Sequence, residues 1–229
     1  TVQISHLKTG KPEAWPLLDD AIARIESANR EGCRIAADRY PYTAGCTNLD
    51  VIFPAWAEEG GNSRILQRIL DPVTRRRIRD ELARMYSENA WSSILLGSTF
   101  HPKLQHLRGR PLAEAAEALS LSPEDAVLAI LEADKLQTTA FFASMSETNM
   151  RRILSLPFVM GGSDASLRSL DGPLSRDYPH PRNFGTFPRI LRLALDGETV
   201  PLPEAVRKLT SLPAQQFGIS RRGILAVGR

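Results

Sequence analysis

The first forty residues alternate strand, helix and strand, and this pattern restricts the fold more than any other part of the chain. Val2 to Ser5 has the pattern of a buried strand, Pro12 to Arg30 that of a helix, and Arg34 to Asp38 that of a second strand. Apolar residues at three- and four-residue spacing predict that the helix buries one face. Two short strands joined by a helix pair in parallel. The sequence therefore predicts an α/β fold.

Polar side chains follow both predicted strands at their carboxyl ends. His6 and Lys8 follow the first strand, and Asp38, Tyr40 and Tyr42 follow the second. Proteins of the α/β class build their sites at this end of parallel strands. A lone histidine there is more often hydrogen-bonded to a neighbour than bound to a metal, and a lone lysine is more often solvated. The residue pattern by itself leaves both interpretations open.

A third strand end lies near residue 160. The apolar run Phe158 to Met160 stops at Gly161-Gly162-Ser163-Asp164. Glycines let backbone or ligand come close, and an aspartate in this place can be a metal ligand, a general base or both. Taken alone, Ser-Asp after a strand is also typical of a turn or a helix N-cap.

The segment from about residue 49 to residue 150 is predicted to be mostly helical and to interrupt the parallel pattern. Phe53 to Trp56 is expected in an exposed loop, and Trp91 to Leu96 in a strand. A helix with a favourable start is predicted after Ser122, because serine caps helices and Pro123 suits the first position. A later helix is expected over Thr186 to Leu195. The chain then divides into a βαβ segment (1–48), a helical insertion or lid (49–150), and a last barrel strand with C-terminal helices (151–229).

Composition narrows the class of protein. Of 229 residues, 42% are hydrophobic and 24% are charged, which is ordinary for a globular domain. The net charge is only +3, and the run Arg75 to Arg77 alternates with acids on a predicted helix, so we expect no nucleic-acid surface. We expect no membrane span and no signal peptide. Cys33 and Cys46 have neither metal-type spacing nor a disulfide framework, which predicts a reducing, cytoplasmic location.

The two ends predict a piece of a longer protein. The chain opens on Thr1, already inside a strand pattern and without an initiator methionine. It closes on Gly223 to Arg229, a run that looks like the approach to another element.

Four short segments occur in an order that is known from one family. They are Ile4 to Lys8, Asp38 to Thr47, Gly162 to Asp164, and His180 to Phe187. Together they resemble the D-aminoacylases, the N-acyl-D-amino-acid deacylases of the amidohydrolase superfamily, and the resemblance covers nearly the whole chain. It implies a metal-dependent TIM-like (β/α) barrel with a small β-sandwich, of which this chain would hold the last barrel strands and a mostly helical insertion.

The resemblance also implies a zinc site. His6 matches a zinc ligand at the end of the sixth barrel strand. Asp164 matches the acid after the eighth strand, which contacts the metal, activates the zinc-bound water and passes its proton to the leaving amine. Zinc binds neutral imidazole and brings the pKa of its water to near 7, so these residue types suit amide hydrolysis. Leu7 and Ala165 depart from the usual family motif and leave specificity open.

Five more residues match positions near the substrate. Lys8 matches the residue that meets the substrate carboxylate, a contact for which a cation is needed. Tyr40 and Tyr42 match the segment that touches the substrate, with Tyr40 favoured. Cys46 stands where serine is common and is a further candidate, as is His180 in its stiff loop between two prolines.

The family's other zinc ligands would lie upstream of Thr1. The chain is therefore expected to hold one histidine ligand and the catalytic acid, and to be inactive by itself. The implied cofactor is Zn²⁺, and the implied partner is a small N-acyl-D-amino acid; an exposed barrel edge would favour association. Two alternatives stay open: a cyclic-amide hydrolase of the same superfamily, such as a hydantoinase or dihydroorotase, and a non-catalytic truncated module. The lysine and tyrosine positions argue against the first of these.

Overall fold

A computed structural model describes residues 1–227, which divide into two compact units. The first unit comprises residues 1–44, 144–167 and the chain from 181 onward; the second comprises residues 45–143 and 168–180. The closing run from Gly223 forms turns and bends as far as Val227, and its last two residues lie outside the described part.

The strands are β1 (Val2–Ile4), β2 (Ile35–Arg39), β3 (Ala44–Asn48), β4 (Ile94–Leu96), β5 (Thr139–Ala143) and β6 (Val159–Gly161). The α-helices are α1 (Leu18–Arg30), α2 (Ala55–Glu58), α3 (Gly61–Leu70), α4 (Pro72–Met85), α5 (Glu88–Ser93), α6 (Leu112–Leu119), α7 (Pro123–Ala133), α8 (Glu147–Ser155), α9 (Arg182–Leu195), α10 (Leu202–Leu209) and α11 (Ser211–Gln216). Short 3-10 helices span Pro12–Leu17, Leu49–Ile52, Pro102–Leu107 and Pro173–Ser175.

The first unit is built on a parallel sheet with strand order β1-β2-β6. Its register places Ile4 beside Ala37 and Asp38 beside Met160, so all three strands end at the same edge. Helix α1 contributes Leu18 and Ile22 to an apolar cluster with Ala37 of the sheet. The predicted βαβ unit with parallel strands is confirmed.

The second unit contains a sheet with order β3-β5-β4, in which β4 and β5 are antiparallel. Helices α3, α4, α6 and α7 together supply about half of one continuous apolar core. Helix α7 begins as predicted, because the Ser122 hydroxyl accepts a hydrogen bond from the Asp125 N–H at 3.2 Å. None of the helices described in residues 1–227 is long and apolar enough to cross a bilayer.

Two predictions for the second unit are wrong. The expected exposed loop at Phe53 is instead part of the core, where Phe53 is 4% exposed and the next residues form α2. The Trp56 ring is covered by the Arg77 guanidinium at 3.9 Å, so its apolar surface is also shielded. Trp91 lies in α5, and only Ile94–Leu96 forms the predicted strand, because a helical turn brings the Trp91 ring to Tyr86 at 5.0 Å.

Two boundaries in the first unit also differ. Helix α9 begins at Arg182, four residues before the predicted start at Thr186. The segment Pro12–Leu17 is a 3-10 turn rather than the first part of α1, and Trp15 is 37% exposed while its indole N–H donates to the Ser144 carbonyl. The predicted α/β class is confirmed, whereas barrel closure is not seen within residues 1–227, where the parallel sheet has three strands. The division at residues 49 and 150 stays a prediction.

Candidate active site

The carboxyl edge of the parallel sheet carries a cluster of polar side chains. His6 and Lys8 follow β1, Tyr40 and Tyr42 follow β2, and Asp164 follows β6. All five belong to the first unit. Five of the seven predicted site residues thus lie at the sheet edge where the parallel strands predict a site.

His6 is held in an unusual backbone conformation. Its φ is +44°, in the left-handed region that side chains with a Cβ rarely adopt. The His6 N–H donates to Asp38 Oδ1 at 2.9 Å. Lys8 Nζ lies 2.7 Å from His6 Nδ1 and donates to the His6 carbonyl at 3.2 Å. The imidazole therefore has a lysine amine on one ring nitrogen.

Asp164 has a similar backbone conformation, with φ of +49°. Arg182, the first residue of α9, places Nη1 2.6 Å from Asp164 Oδ2. The Arg182 side chain is 10% exposed and that of Asp164 is 33% exposed. The carboxylate is thus fixed by a charge-assisted bond and still reaches solvent.

Tyr40 is completely buried, and three cations face its ring. The centroid lies 4.3 Å from the Arg39 guanidinium carbon, 4.9 Å from that of Arg182 and 5.8 Å from Lys8 Nζ. These distances are within the range of cation–π attraction. The Tyr40 ring therefore organises the positive charges at this edge.

Burial lowers the pKa of the Lys8 amine. The negative charges of Asp164 and Asp38 oppose this change, and the positive charges of Arg39 and Arg182 add to it. Burial also lowers the pKa of Arg39, whose Nη2 donates to the Tyr42 carbonyl at 2.8 Å. The pKa of the Tyr42 phenol is raised by burial and held back by Arg189, whose guanidinium is 5.0 Å from the ring. The edge is a partly desolvated region with an excess of positive charge.

The other two predicted site residues lie in the second unit. Cys46, in β3, is partly exposed. His180 is 4% exposed, and its ring packs edge-on against Phe141 at 5.4 Å. Packing of this kind is what a buried histidine does in a core. The substrate-binding roles of both residues stay predictions.

Three charged residues at this edge were not assigned a role from the sequence. Asp38 could have been found, because it ends a predicted strand. Arg182 lies inside one of the four family-like segments, His180 to Phe187. Arg39 gives no sequence signal, since an arginine beside a strand end usually points to solvent; here it is 1% exposed.

His6 and Asp164 are donor types that zinc uses, but they do not complete a metal site. Within residues 1–227, no group of three or more His, Cys, Asp or Glu side chains is arranged to hold a metal ion. Zinc in proteins takes four ligands, or three and a water. In addition, one of the two possible metal-binding atoms of each side chain contacts a cation: His6 Nδ1 contacts Lys8, and Asp164 Oδ2 contacts Arg182. The described chain can supply only part of such a site.

Comparison with curated proteins gives relatives of one kind. The chain is 30% identical over 226 residues to an N-acyl-D-glutamate deacylase of Alcaligenes xylosoxydans xylosoxydans, covering 98% of this chain and 36% of the relative. It is 31% identical over 235 residues to a D-aminoacylase of the same organism, covering 99% of the chain and 37% of that protein. No protein-family model matches the chain. The chain thus spans little more than a third of the length of these relatives.

Solved structures agree with the sequence relatives. One is a crystal structure of N-acyl-D-glutamate deacylase from Bordetella bronchiseptica, complexed with zinc and a phosphonate mimic of the tetrahedral intermediate. It superimposes on this chain with a TM-score of 0.70 and 26% identity, and the match covers 99% of this chain and 38% of that one. A D-aminoacylase structure, described as defining a novel subset of amidohydrolases, gives a TM-score of 0.65 and 28% identity over the same shares. The resemblance found in the four sequence segments is confirmed: nearly the whole chain is related, in sequence and in fold, to the D-aminoacylase family of N-acyl-D-amino-acid deacylases.

Proposed function

We propose that the chain is the C-terminal part of a zinc-dependent amidohydrolase that hydrolyses N-acyl-D-amino acids to a carboxylate and a D-amino acid. The observation that carries the proposal is the meeting of His6, Lys8 and Asp164 at one edge of the parallel sheet, in a chain related over nearly its whole length to such deacylases. The three parallel strands would be the last strands of a TIM-like barrel completed by upstream residues.

Zinc fits the proposed chemistry through its donors. His6 and Asp164 would contribute to holding the metal, together with ligands from outside this chain. When bound, zinc would supply a water of pKa near 7 as the nucleophile for the amide.

Asp164 is the proton carrier in this proposal. A carboxylate beside the reacting carbon can take a proton from the nucleophile and return it to the leaving nitrogen. Arg182 engages Oδ2, so we assign the proton transfer to Oδ1. The same ion pair holds the carboxylate in one orientation, which favours transfer at a fixed place.

Lys8 is the group proposed to meet the α-carboxylate of the substrate. It lies in a partly buried, net positive setting formed with Arg39 and Arg182 around Tyr40. A buried cation binds a carboxylate more strongly than a solvated one, because less screening water remains. Tyr42 would orient the substrate beside it, and the completely buried Tyr40 would act through the cations that face its ring.

The experiment is substrate profiling of the whole protein that contains this chain. We expect release of D-amino acids from N-acetyl-D-glutamate, N-acetyl-D-aspartate or N-acetyl-D-leucine, with at least about 100-fold lower kcat/KM for the L-enantiomers. Hydrolysis of hydantoin or dihydroorotate in preference to these would instead support the cyclic-amide alternative. The isolated chain should be inactive, since the donors described in it do not form a complete metal site.

A further inference from the structure

One carboxylate in β2 bonds both to β1 and to the turn that follows it. Asp38 Oδ1 accepts the His6 N–H at the end of β1 at 2.9 Å, and the Asp38 carbonyl accepts the Leu7 N–H at 2.9 Å. Asp38 Oδ2 accepts a hydrogen bond from the Gln3 amide nitrogen at 2.8 Å. Asp38 itself lies in β2, in register with Met160 of β6.

The contact to His6 fixes a strained turn. A left-handed φ at a histidine is unfavourable by itself and persists only where surrounding bonds enforce it. The turn comes immediately after β1, and the His6 and Leu7 N–H groups both donate to Asp38. Without this acceptor we expect the His6 backbone to relax toward an extended conformation, which would redirect its imidazole.

Gly162 leaves the room that Asp38 needs. A Cβ at position 162 would lie 2.8 Å from Asp38 Oδ1 and 2.9 Å from Asp38 Cβ. These distances are shorter than van der Waals contact, so any side chain at 162 would displace the carboxylate. The segment that leads to Asp164 is therefore shaped around the residue that holds His6.

We propose that Asp38 is a positioning residue, which fixes the His6 turn and keeps the backbone before Asp164 in register with it. The inference rests on the proposed function only for its effect on catalysis. This role of Asp38 depends on geometry, since its two oxygens serve as acceptors for an amide N–H and an amide side chain; the effect of its charge on Lys8 is separate.

The geometric role predicts a difference between two substitutions. Asp38→Asn keeps an acceptor for the His6 N–H. Its new NH₂ would face the Gln3 NH₂, and a 180° turn of the Gln3 amide brings Gln3 Oε1, which accepts no hydrogen bond within the described residues, into place as its acceptor. Asp38→Ala removes both acceptors. Asp20→Ala, at an exposed position of α1, is the matched control for loss of one acidic side chain.

The first test is amide hydrogen exchange, measured by NMR on the isolated chain. The His6 amide should exchange at least about ten-fold faster in Asp38→Ala than in wild type, and within about three-fold of wild type in Asp38→Asn and Asp20→Ala. Gly162→Ala should accelerate exchange at the same amide, and adding Asp38→Ala should give little further change, because both act on one contact. Unchanged exchange at His6 in Asp38→Ala would overturn the inference.

The second test uses the whole protein, with zinc content and kinetics. Asp38→Ala should lower kcat/KM at least about ten-fold and reduce bound zinc, with both recovered in Asp38→Asn. An inactive Asp38→Asn with normal His6 exchange would mean that the carboxylate charge is required, which contradicts a purely positional role. If the wild-type protein has no deacylase activity, the proposed function fails, while the exchange experiment still decides the role of Asp38.

Discussion

The two units differ in what fills their interiors. The second unit has one continuous cluster of 21 buried apolar residues, whereas the apolar clusters of the first unit contain five and four. The buried lysine and arginines among the described residues all belong to the first unit: Arg39, Arg182 and Lys208. The second unit has the larger apolar core and buries the carboxylate of Asp134, which accepts three hydrogen bonds, whereas the three buried cations lie in the first unit. The candidate active site lies in the unit with the weaker apolar core.

The largest expected effect comes from emptying the larger core. Leu128→Ala in α7, at a fully buried position, should lower the free energy of unfolding of the second unit by about 4 kcal/mol, since its neighbours cannot collapse into the cavity. Leu18→Ala in α1, at 2% exposure, should cost the first unit about 2 kcal/mol. Urea unfolding followed by hydrogen exchange would separate the units. If Leu18→Ala lowers the free energy of unfolding as much as Leu128→Ala or more, the two cores do not differ as proposed.

The next effect depends on pH and belongs to the first unit. Burial lowers the pKa of Lys208 to about 8, although Glu204 opposes the change; the Lys208 ammonium donates to the Leu156 carbonyl and to the Val159 carbonyl at 2.8 Å. Between pH 8 and 10.5 the unfolded chain therefore binds more protons than the folded one. The free energy of unfolding should rise across this range by on the order of 3 kcal/mol, and this stability is lost again as the pH falls from 10.5 to 8.

Lys208→Met is the control for the pH effect. It should lack the rise between pH 8 and 10.5 in chemical denaturation, although it is less stable at every pH because two buried carbonyls lose their donor. A wild-type profile that is flat, or that falls with pH, would contradict the assignment.

A smaller effect concerns the loop that follows the candidate acid. In the second unit, Gly109 has φ of +76°, and a Cβ there would overlap the Tyr178 phenol. The Ser98 hydroxyl accepts a hydrogen bond from the Tyr178 backbone N–H at 3.0 Å, which also holds this loop. Gly109→Ala should cost about 1–2 kcal/mol more than Gly61→Ala. Gly61 is the matched control, since its φ is +75° with open space around it. Thermal unfolding would compare them, and equal losses would mean that Tyr178 does not rest on Gly109.

The smallest effect should be the same in both units. Ser122 caps α7 in the second unit and Ser146 caps α8 in the first, each accepting a backbone N–H at 3.2 Å. Each serine-to-alanine change should cost about 1 kcal/mol, because a cap depends on local geometry and not on the size of the core. Urea denaturation of the two variants would measure it. If Ser146→Ala lowers the free energy of unfolding several times more than Ser122→Ala does, the effect of a cap depends on the unit that contains it.

Local signals in the sequence predicted much of the fold. The βαβ unit, the start of α7 and the polar strand ends could be read from periodicity, capping residues and strand boundaries. Phe53 and Trp91 could not, because their positions are set by burial in a core that is assembled from distant helices. Strand β3 was missed because Ala44-Gly45-Cys46 lacks the β-branched residues typical of strands.

The residues of the candidate site could be predicted only where a side chain of a suitable chemical type follows the end of a predicted strand. His6, Lys8 and Asp164 satisfy both conditions. Asp38 ends the predicted strand, but its bond to the His6 N–H needs the register of two strands to be known. Arg182 reaches Asp164 because α9 starts earlier than its apolar pattern indicates, and this depends on the path of the preceding loop.

The most direct test of the account is the kinetics of Asp164→Asn in the whole protein. Wild type and variant would be assayed on N-acetyl-D-glutamate and N-acetyl-D-leucine, with zinc content measured in parallel. We predict that kcat falls at least about 1,000-fold while the fold is retained, because asparagine keeps the bond to Arg182 but cannot carry the proton. A variant with wild-type kcat would contradict the claim that the strand-end cluster at Asp164 is the active site.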